Sequence, residues 1–529
     1  MINKNILAAT FVFLTVSFVY ASQPVIFFSD LTSGPKTGGQ NNKGVFVTIW
    51  GKNFGETKGA SYVTIGSSQA DSYPEWSDTK VCFQLGPSAT TGNIILTTSN
   101  GTSNGITFTV RPGNIYFVDP KASTNGTGSY SSPFSHLRYF HDIANPGDTV
   151  YIRAGTIIDE YNGHYGWHSI VCPERGGTQA SPVAWVAYPG ESVTLQATGG
   201  PSRWPDNSDR ISYIFRAYSS WHTISKLNLN VTGGGNSAVT LGTGWKVVGC
   251  DIQEHNATYG VLEGSGDYFT VIGNEIHNCY NDNYANMAHS IYLNGGSLNF
   301  EIGWNYLHNN KNQGWEISLF HQGIRQGIIH DNIITNTNNY RLKGILVGDV
   351  DRGEDRLTVV NQSVKIYNNI LHNVGINGWG GAVQLASGTI YLYNNTIYQC
   401  SDIGGTVQLV GGTEPSGQPA YYISNNIIYN SINAKYISNG GGAAPNWSTV
   451  TLFNNVYYGA GNGPTQDSSP VNADPKFINV SGGDFHIQSS SAAKDAGTSS
   501  VSSIVTTDYD GLSRPQGAAY DIGAYEYVY

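Results

Sequence analysis

The sequence predicts an all-β protein whose main body is a solenoid of stacked parallel strands. Three observations carry this: one short β-type pattern repeats nine times, charged residues make up only 12% of the chain, and no long amphipathic helical stretch occurs outside residues 133–144. The repeats are TISKLNL, VVGCDI, VIGNEI, IGWNYL, IHDNII, IYNNIL, LYNNTI, ISNNII and LFNNVY. Their key positions are Leu227, Cys250, Asn274, Asn305, Asn332, Asn369, Asn395, Asn426 and Asn455, roughly 23 to 37 residues apart, a spacing typical of stacked repeats.

Each copy holds only three or four β-branched or aromatic residues, too few to bury a core alone, so the copies must stack to share one. An Asn recurring at one corner of every rung can bond to the rungs above and below and to the turn backbone. Asn suits that corner because it tolerates the left-handed conformation and carries both donors and acceptors. These asparagines are read as structural.

The composition agrees. Sixty-five glycines supply turns, and the net charge of -10 argues against nucleic-acid binding, which needs a basic face. An acidic polysaccharide would not be gathered by such a field, so it would have to meet local cations or a bound metal.

Together the repeat and the composition resemble the right-handed parallel β-helix of the pectate lyase type over residues 114–460. The expected organisation is a signal peptide at 1–21, an immunoglobulin-like module at 22–112, a parallel β-helix with an N-terminal cap at 113–465, and a C-terminal capping module at 466–529. The first segment has Lys4, an apolar run from Ile6 to Val19 and small residues for cleavage after Ala21, which implies a secreted or cell-surface protein with no membrane span once processed. In the second, short alternating strands lie between Gly, Asn and Ser turns, and SGPKTGG and VTIWGKNFG resemble an IPT/TIG β-sandwich. Ser132 and Pro133 start a helix with Leu137, Phe140 and Ile143 on one face, resembling the cap of secreted β-helices. Asp495, Asp510, Asp521 and Glu526 of the last segment are read as structural. The five cysteines include no CxxC pair. Cys279 and Cys400 fall four rungs and about 19 Å apart at strand spacing, too far to bridge, so buried thiols are expected.

The strand preceding each ladder strand gives a second series: AVTLG, GVLEG, SIYLN, EISLF, GILVG, AVQLA and TVQLV. In each, the second and fourth residues are expected to point inward and the others to face solvent. Three adjacent rungs, at 289–296, 315–323 and 341–356, then stack Tyr292 on Ser318 on Leu346 and Ser290 on Glu316 on Gly344. His289, Trp315 and Lys343 share the turn before the strand, and His321 and Asp349 the turn after. With Arg341 these groups converge on a patch roughly 10 to 15 Å across.

The interval from Asn332 to Asn369 is the longest in the series and contains Asp349, Asp351, Arg352, Glu354, Asp355 and Arg356. Its alternating acids around Gly353 suit Ca²⁺ without completing an EF-hand loop. No organic cofactor is implied.

This set fits β-elimination in a uronic acid polymer, which needs the carboxylate neutralised, a base for the C5 proton, and a proton donor for the leaving oxygen. The expected roles are Lys343 as base, Arg341 as charge neutraliser, and Tyr292 or His321 as proton donor. Glu316, Asp349, Asp351 and Asp355 would bind the metal, while His289, Trp315, Phe320 and Gln384 would contact the sugar. A glycoside hydrolase would instead use Glu316 and Asp349 as its carboxylate pair. A non-catalytic adhesive or glycan-binding protein would use Tyr292, Trp315 and Phe320. The motifs of characterised β-helix families (WIDH, GHG with RIK, DPHEGT) are absent, so the resemblance leaves the reaction open.

Overall fold

A computed structural model describes residues 23–159, 169–198, 213–233, 237–255, 259–281, 289–311, 314–320, 323–336, 342–348, 363–375, 381–400, 405–411, 419–430, 435–440 and 444–528. The expected signal peptide, His321, Arg341, Asp349, Asp351 and Asp355 lie outside the described residues.

The protein is a parallel β-helix preceded by a β-sandwich. Among the described residues the coil has three long parallel sheets. Sheet I has 12 strands, from Ile115–Val118 to Val450–Phe453, and each full turn leaves it through the Asn corner. Sheet II follows that corner, with 11 strands from Gly155–Ile158 to Val456–Tyr458. Sheet III has 10, from Ser169–Val171 to Ile437–Asn439, and holds the second sequence series. The coil is right-handed, as parallel crossovers nearly always are. One continuous apolar core of Ile, Val and Leu columns fills the interior.

The ladder is an unbroken hydrogen-bonded chain. The backbone N–H and Nδ2 of Asn274 both donate to Oδ1 of Asn305, each at 3.0 Å. The same pair of bonds joins Asn305 to Asn332, Asn332 to Asn369, and so on to Asn455. Asn455 Nδ2 donates to the carboxylate of Asp467 at 2.9 Å. The left-handed residue is not the ladder Asn, as the sequence suggested, but the one before it: Trp304 (φ 49°), Asp331 (52°), Asn368 (54°), Asn394 (52°), Asn425 (59°) and Asn454 (54°). This explains the NN doublets. The first Asn turns the chain at little steric cost, and the second joins the ladder.

The first Asn of each doublet has another role. Nδ2 of Asn368, Asn394, Asn425 and Asn454 donates to the carbonyl oxygens of Thr507, Asp521, Thr498 and Ala496. The C-terminal module, expected as an end cap, therefore also runs lengthwise along the Asn corner as a buttress. The open end is closed by residues 467–471, which add a partial rung through Leu452–Asp467 and Val456–Val471 bridges. Inside the buttress Arg514 and Glu526 form a fully buried ion pair at 2.6 Å. Asp510 joins Lys52 of the sandwich (2.9 Å) and His486 (3.1 Å).

The sandwich packs on the outer surface of the first strands of sheet I. Val47, Ile49, Val81 and Phe83 share a core with Tyr151, Ala184 and Val186 of the coil. At the seam Lys226 Nζ reaches Thr48 Oγ1 (2.6 Å) and the buried Asp30 carboxylate (3.2 Å). The cap helix is shorter than expected, Leu137–His141. Leu137 and Phe140 close the first rung, Phe140 lying 4.8 Å edge-on to Trp185. Ile143 is 38% exposed because the helix ends before it can join that face. All five cysteines are buried free thiols. Among the described residues no helix is long and apolar enough to cross a membrane.

Candidate functional site on sheet III

Tyr292, Ser318, Leu346, Gln384 and Gln408 are consecutive partners down sheet III, and His289, Trp315 and Lys343 line its leading edge. The His289 ring bonds the Trp315 backbone, its Nδ1 lying 2.9 Å from Trp315 N and 3.1 Å from Trp315 O. It also stacks on Tyr292 at 4.8 Å. Lys343 Nζ sits 5.4 Å from the centre of the Trp315 ring, a cation–π distance. Burial, more than the neighbouring Lys343 charge, pushes the His289 pKa down to about 4, despite the Trp315 backbone bond that raises it. His289 is therefore neutral at neutral pH, and the positive charge at this edge comes from Lys343.

Three expectations about this face are corrected. First, the central column is closed rather than open to solvent: none of its five residues from Tyr292 to Gln408 is more than 8% exposed. Part of the cover is the Gly440 backbone, whose carbonyl accepts from Gln384 Nε2 at 2.8 Å. Half-exposed groups remain at the edges, His289 and Lys343 on one side and Phe320 on the other.

Second, Glu316 does not face outward. It is fully buried and accepts hydrogen bonds from Ser290 Oγ and from Asn310 Nδ2 at 3.0 Å. Asn310 itself bonds the backbone of Cys279 and Ile276, both in the interior. The residue entering each sheet III strand sits at an inward corner, as Ala238, Val261 and Ala382 also show. Burial, only partly offset by these two bonds, raises the Glu316 pKa to about 7. A protonated or tightly bonded interior carboxyl is poorly placed to bind a cation on the outer face.

Third, the rung GVLEG is one residue out of the expected register. Leu262, not Val261, pairs with the core residues Val239 and Ile291, which turns Glu263 outward between Thr240 and Tyr292. Gly264 takes the inward slot held by Leu241 and Leu293, and a Cβ there would lie 2.3 Å from the Leu241 carbonyl oxygen. Glu263 is thus a site residue that sequence reasoning missed. Burial raises its pKa to about 7, against the bond from Ser237 and the charge of Arg216. Such a carboxyl can exchange a proton near neutral pH.

Of the expected metal ligands, Asp349, Asp351 and Asp355 lie outside the described residues. Among those described, no group of three or more His, Cys, Asp or Glu side chains is arranged to hold a metal ion.

The fold and this face can now be set beside known proteins. Residues 30–110 match the IPT/TIG domain family, and residues 328–511 match a family described as "Disaggregatase related". Comparison with curated protein sequences finds no match. Among solved structures, pectate lyase Pel9A superposes with a TM-score of 0.51 at 17% identity, over 78% of this chain and 96% of that one. A rhamnogalacturonan lyase gives 0.41 at 14% identity, over 69% and 90%. The PL6 family alginate lyase AlyGC gives 0.37 at 13%, over 71% and 55%. The chain thus has a parallel β-helix fold like that of pectate lyase Pel9A, with a segment at residues 30–110 that matches the IPT/TIG family. At these identities the likeness is one of fold.

Proposed function

We propose that this is a secreted or cell-surface polysaccharide-active protein, and that it cleaves a uronic acid polymer by β-elimination at the leading edge of sheet III. The observation that carries the reading is the His289–Trp315–Lys343 edge with Tyr292 stacked behind it. Lys343 is a half-exposed amine held over an aromatic face, next to a neutral imidazole and a phenol. In this reading Lys343 first releases its own proton to solvent as substrate binds, then takes the C5 proton as a free amine, and Tyr292, with Glu263 beside it, returns one to the leaving oxygen. His321 is the other candidate for that donor, and Arg341 pairs with the substrate carboxylate. Asp349, Asp351 and Asp355 would supply oxygen ligands for Ca²⁺, whose charge would offset that of the substrate. Trp315, His289 and Phe320 contact the sugar at the open edges, while Gln384, covered by the Gly440 backbone, does not. The name of one structural neighbour, pectate lyase Pel9A, supports the same reaction class.

A second reading, a non-catalytic glycan-binding protein, is favoured by the closure of the Tyr292–Gln408 column. One experiment separates the two: incubate the protein with polygalacturonate and alginate, with and without chelator, and follow ultraviolet absorbance and reducing ends. The lyase reading expects unsaturated, absorbing products that disappear with Lys343→Ala. Reducing ends without absorbance would indicate a hydrolase, and binding without products would leave the adhesive reading.

A further inference from the structure

The outer surface of sheet I carries a concavity that the sheet III reading does not use. It has a volume of about 470 Å³ and is lined by Asn299, Glu301, Gln326, Ile328, Ser363 and Lys365, on the strands Ser297–Gly303, Arg325–His330 and Ser363–Tyr367. That volume is in the range of small-molecule sites.

Several features of this concavity follow from how the chain is built. The pairing of the first two strands slips between Leu298 and Phe300, so Asn299 is an extra, bulged residue, left-handed at φ 57° and exposed. Bulges of this kind re-aim one side chain and recur beside binding sites. Glu301, Ile328, Lys365, Tyr391 and Tyr422 then follow one another as direct partners down the sheet, all half-buried. The two tyrosine rings stack at 5.1 Å, 14° from parallel. From Glu301 to Tyr422 the column covers four rung steps, about 19 Å at strand spacing.

The charges are unequal in effect. Glu301 is engaged by His330 Nε2 at 3.2 Å. Burial alone would raise its pKa, but that bond and the charges of His330 and Lys246 hold it below the usual carboxylate range. Lys365 has no ion-pair partner among the described residues. The concavity therefore offers one cation without an ion-pair partner among the described residues, two amides and a hydroxyl, while Tyr391 and Tyr422 further along the column pack against Val501, Val505 and Tyr520 of the C-terminal module.

We propose that this concavity is a second saccharide site, which takes a uronate-bearing oligosaccharide with its carboxylate on Lys365 and its hydroxyls on Asn299, Gln326 and Ser363. Ring hydroxyls pair with amides and hydroxyls at the rim of such a site. The site lies on a different face from Lys343 and holds whether or not sheet III is catalytic. It would let the protein grip one part of a polymer while another part meets sheet III.

The test is calorimetric titration of the full chain with trigalacturonate, triguluronate and the neutral xylotriose. The proteins compared are wild type, Lys343→Ala, Lys365→Gln and Gln326→Ala. The last three change exposed or half-exposed side chains, and matching thermal melts confirm the fold. At least one uronate is expected to bind wild type and Lys343→Ala equally, and at least tenfold more weakly to Lys365→Gln, with xylotriose binding at least tenfold more weakly than that uronate. Three outcomes overturn the proposal: no uronate binding, binding kept in Lys365→Gln, or equal binding of xylotriose. Loss of cleavage by Lys343→Ala with this binding intact tests the sheet III reading separately.

Discussion

Glu263 and Tyr292 are direct partners on neighbouring rungs of sheet III, so a carboxyl and a phenol stand side by side on the outer face. Two rungs further along and one column toward the corner, Glu316 turns inward to Ser290 and Asn310. Burial gives both carboxyls a raised pKa, about 7 in each case, but only one of them can meet a ligand on this face.

These shifts set a pH dependence of stability. A carboxyl whose pKa rises from 4.5 in the unfolded chain to about 7 on folding binds its proton more tightly in the native state. Its contribution is complete below pH 4.5 and is lost as pH rises to about 7. For the fully buried Glu316 the span is on the order of 3 kcal/mol. Glu316→Gln should flatten the decline in urea-unfolding free energy between pH 4.5 and 7. An unchanged slope would place the titration elsewhere.

His330 works in the same direction at higher pH. Burial would lower its pKa, but hydrogen bonds and charges from Asp331 (2.7 Å) and Glu301 (3.2 Å) raise it to about 9. The imidazolium therefore stabilises the fold fully below pH 6.5, and that contribution fades as pH rises through 9. His330→Gln should be less stable than wild type at pH 6 and close to it at pH 10. The comparison needs only thermal melts at the two pH values.

At the sandwich seam, Lys226→Met should cost about 3 kcal/mol, because it leaves the buried Asp30 carboxylate without its cation. Adding Asp30→Asn should recover most of the loss, since Asp30 also accepts from Leu31 N, Thr48 N and Ser225 Oγ and an amide oxygen can keep part of that set. A double-mutant cycle by denaturant unfolding reads the coupling. Additive effects would mean the pair is not coupled.

The ladder should be the least tolerant feature of the coil. Asn369→Ala removes the acceptor for Asn332 N and Nδ2 and the donor to the Ile329 and Tyr367 carbonyls, all at about 3 Å. With two or more buried groups left unpaired at roughly 1–3 kcal/mol each, a loss of about 3 to 5 kcal/mol is expected. Asn299→Ala, on the exposed bulge, should cost under about 0.5 kcal/mol.

Much of this was legible because the repeat carries its own register. Once Asn305, Asn332 and Asn369 were aligned, the stacking of Tyr292, Ser318 and Leu346 followed from strand alternation alone. What was not legible depends on atoms that apolar periodicity does not encode. Gly264 fills an inward slot with no side chain, so nothing in GVLEG marked the shift that exposes Glu263. The inward corner before each strand admits Ala, Ser, Gly and, with Asn310 beneath it, Glu316, so residue type there does not reveal direction. Asn299 looks like an ordinary turn residue until its rung is paired. The doublets did show two asparagines at each corner, but assigning the left-handed turn to the first required the backbone angles.

In the Asn chain every link donates forward along the sequence and accepts from behind, ending on the carboxylate of Asp467. Each internal corner therefore offers identical connectors on its two sides. As far as the ladder alone is concerned, whole turns can be copied or lost without disturbing the joint. The bonds from Asn368, Asn394, Asn425 and Asn454 to the C-terminal module tie the last rungs in register, however, so the freedom in length lies in the rungs before Asn368. The two saccharide faces proposed here would then be adjustable in reach by counting rungs, with no change to the residues that line them.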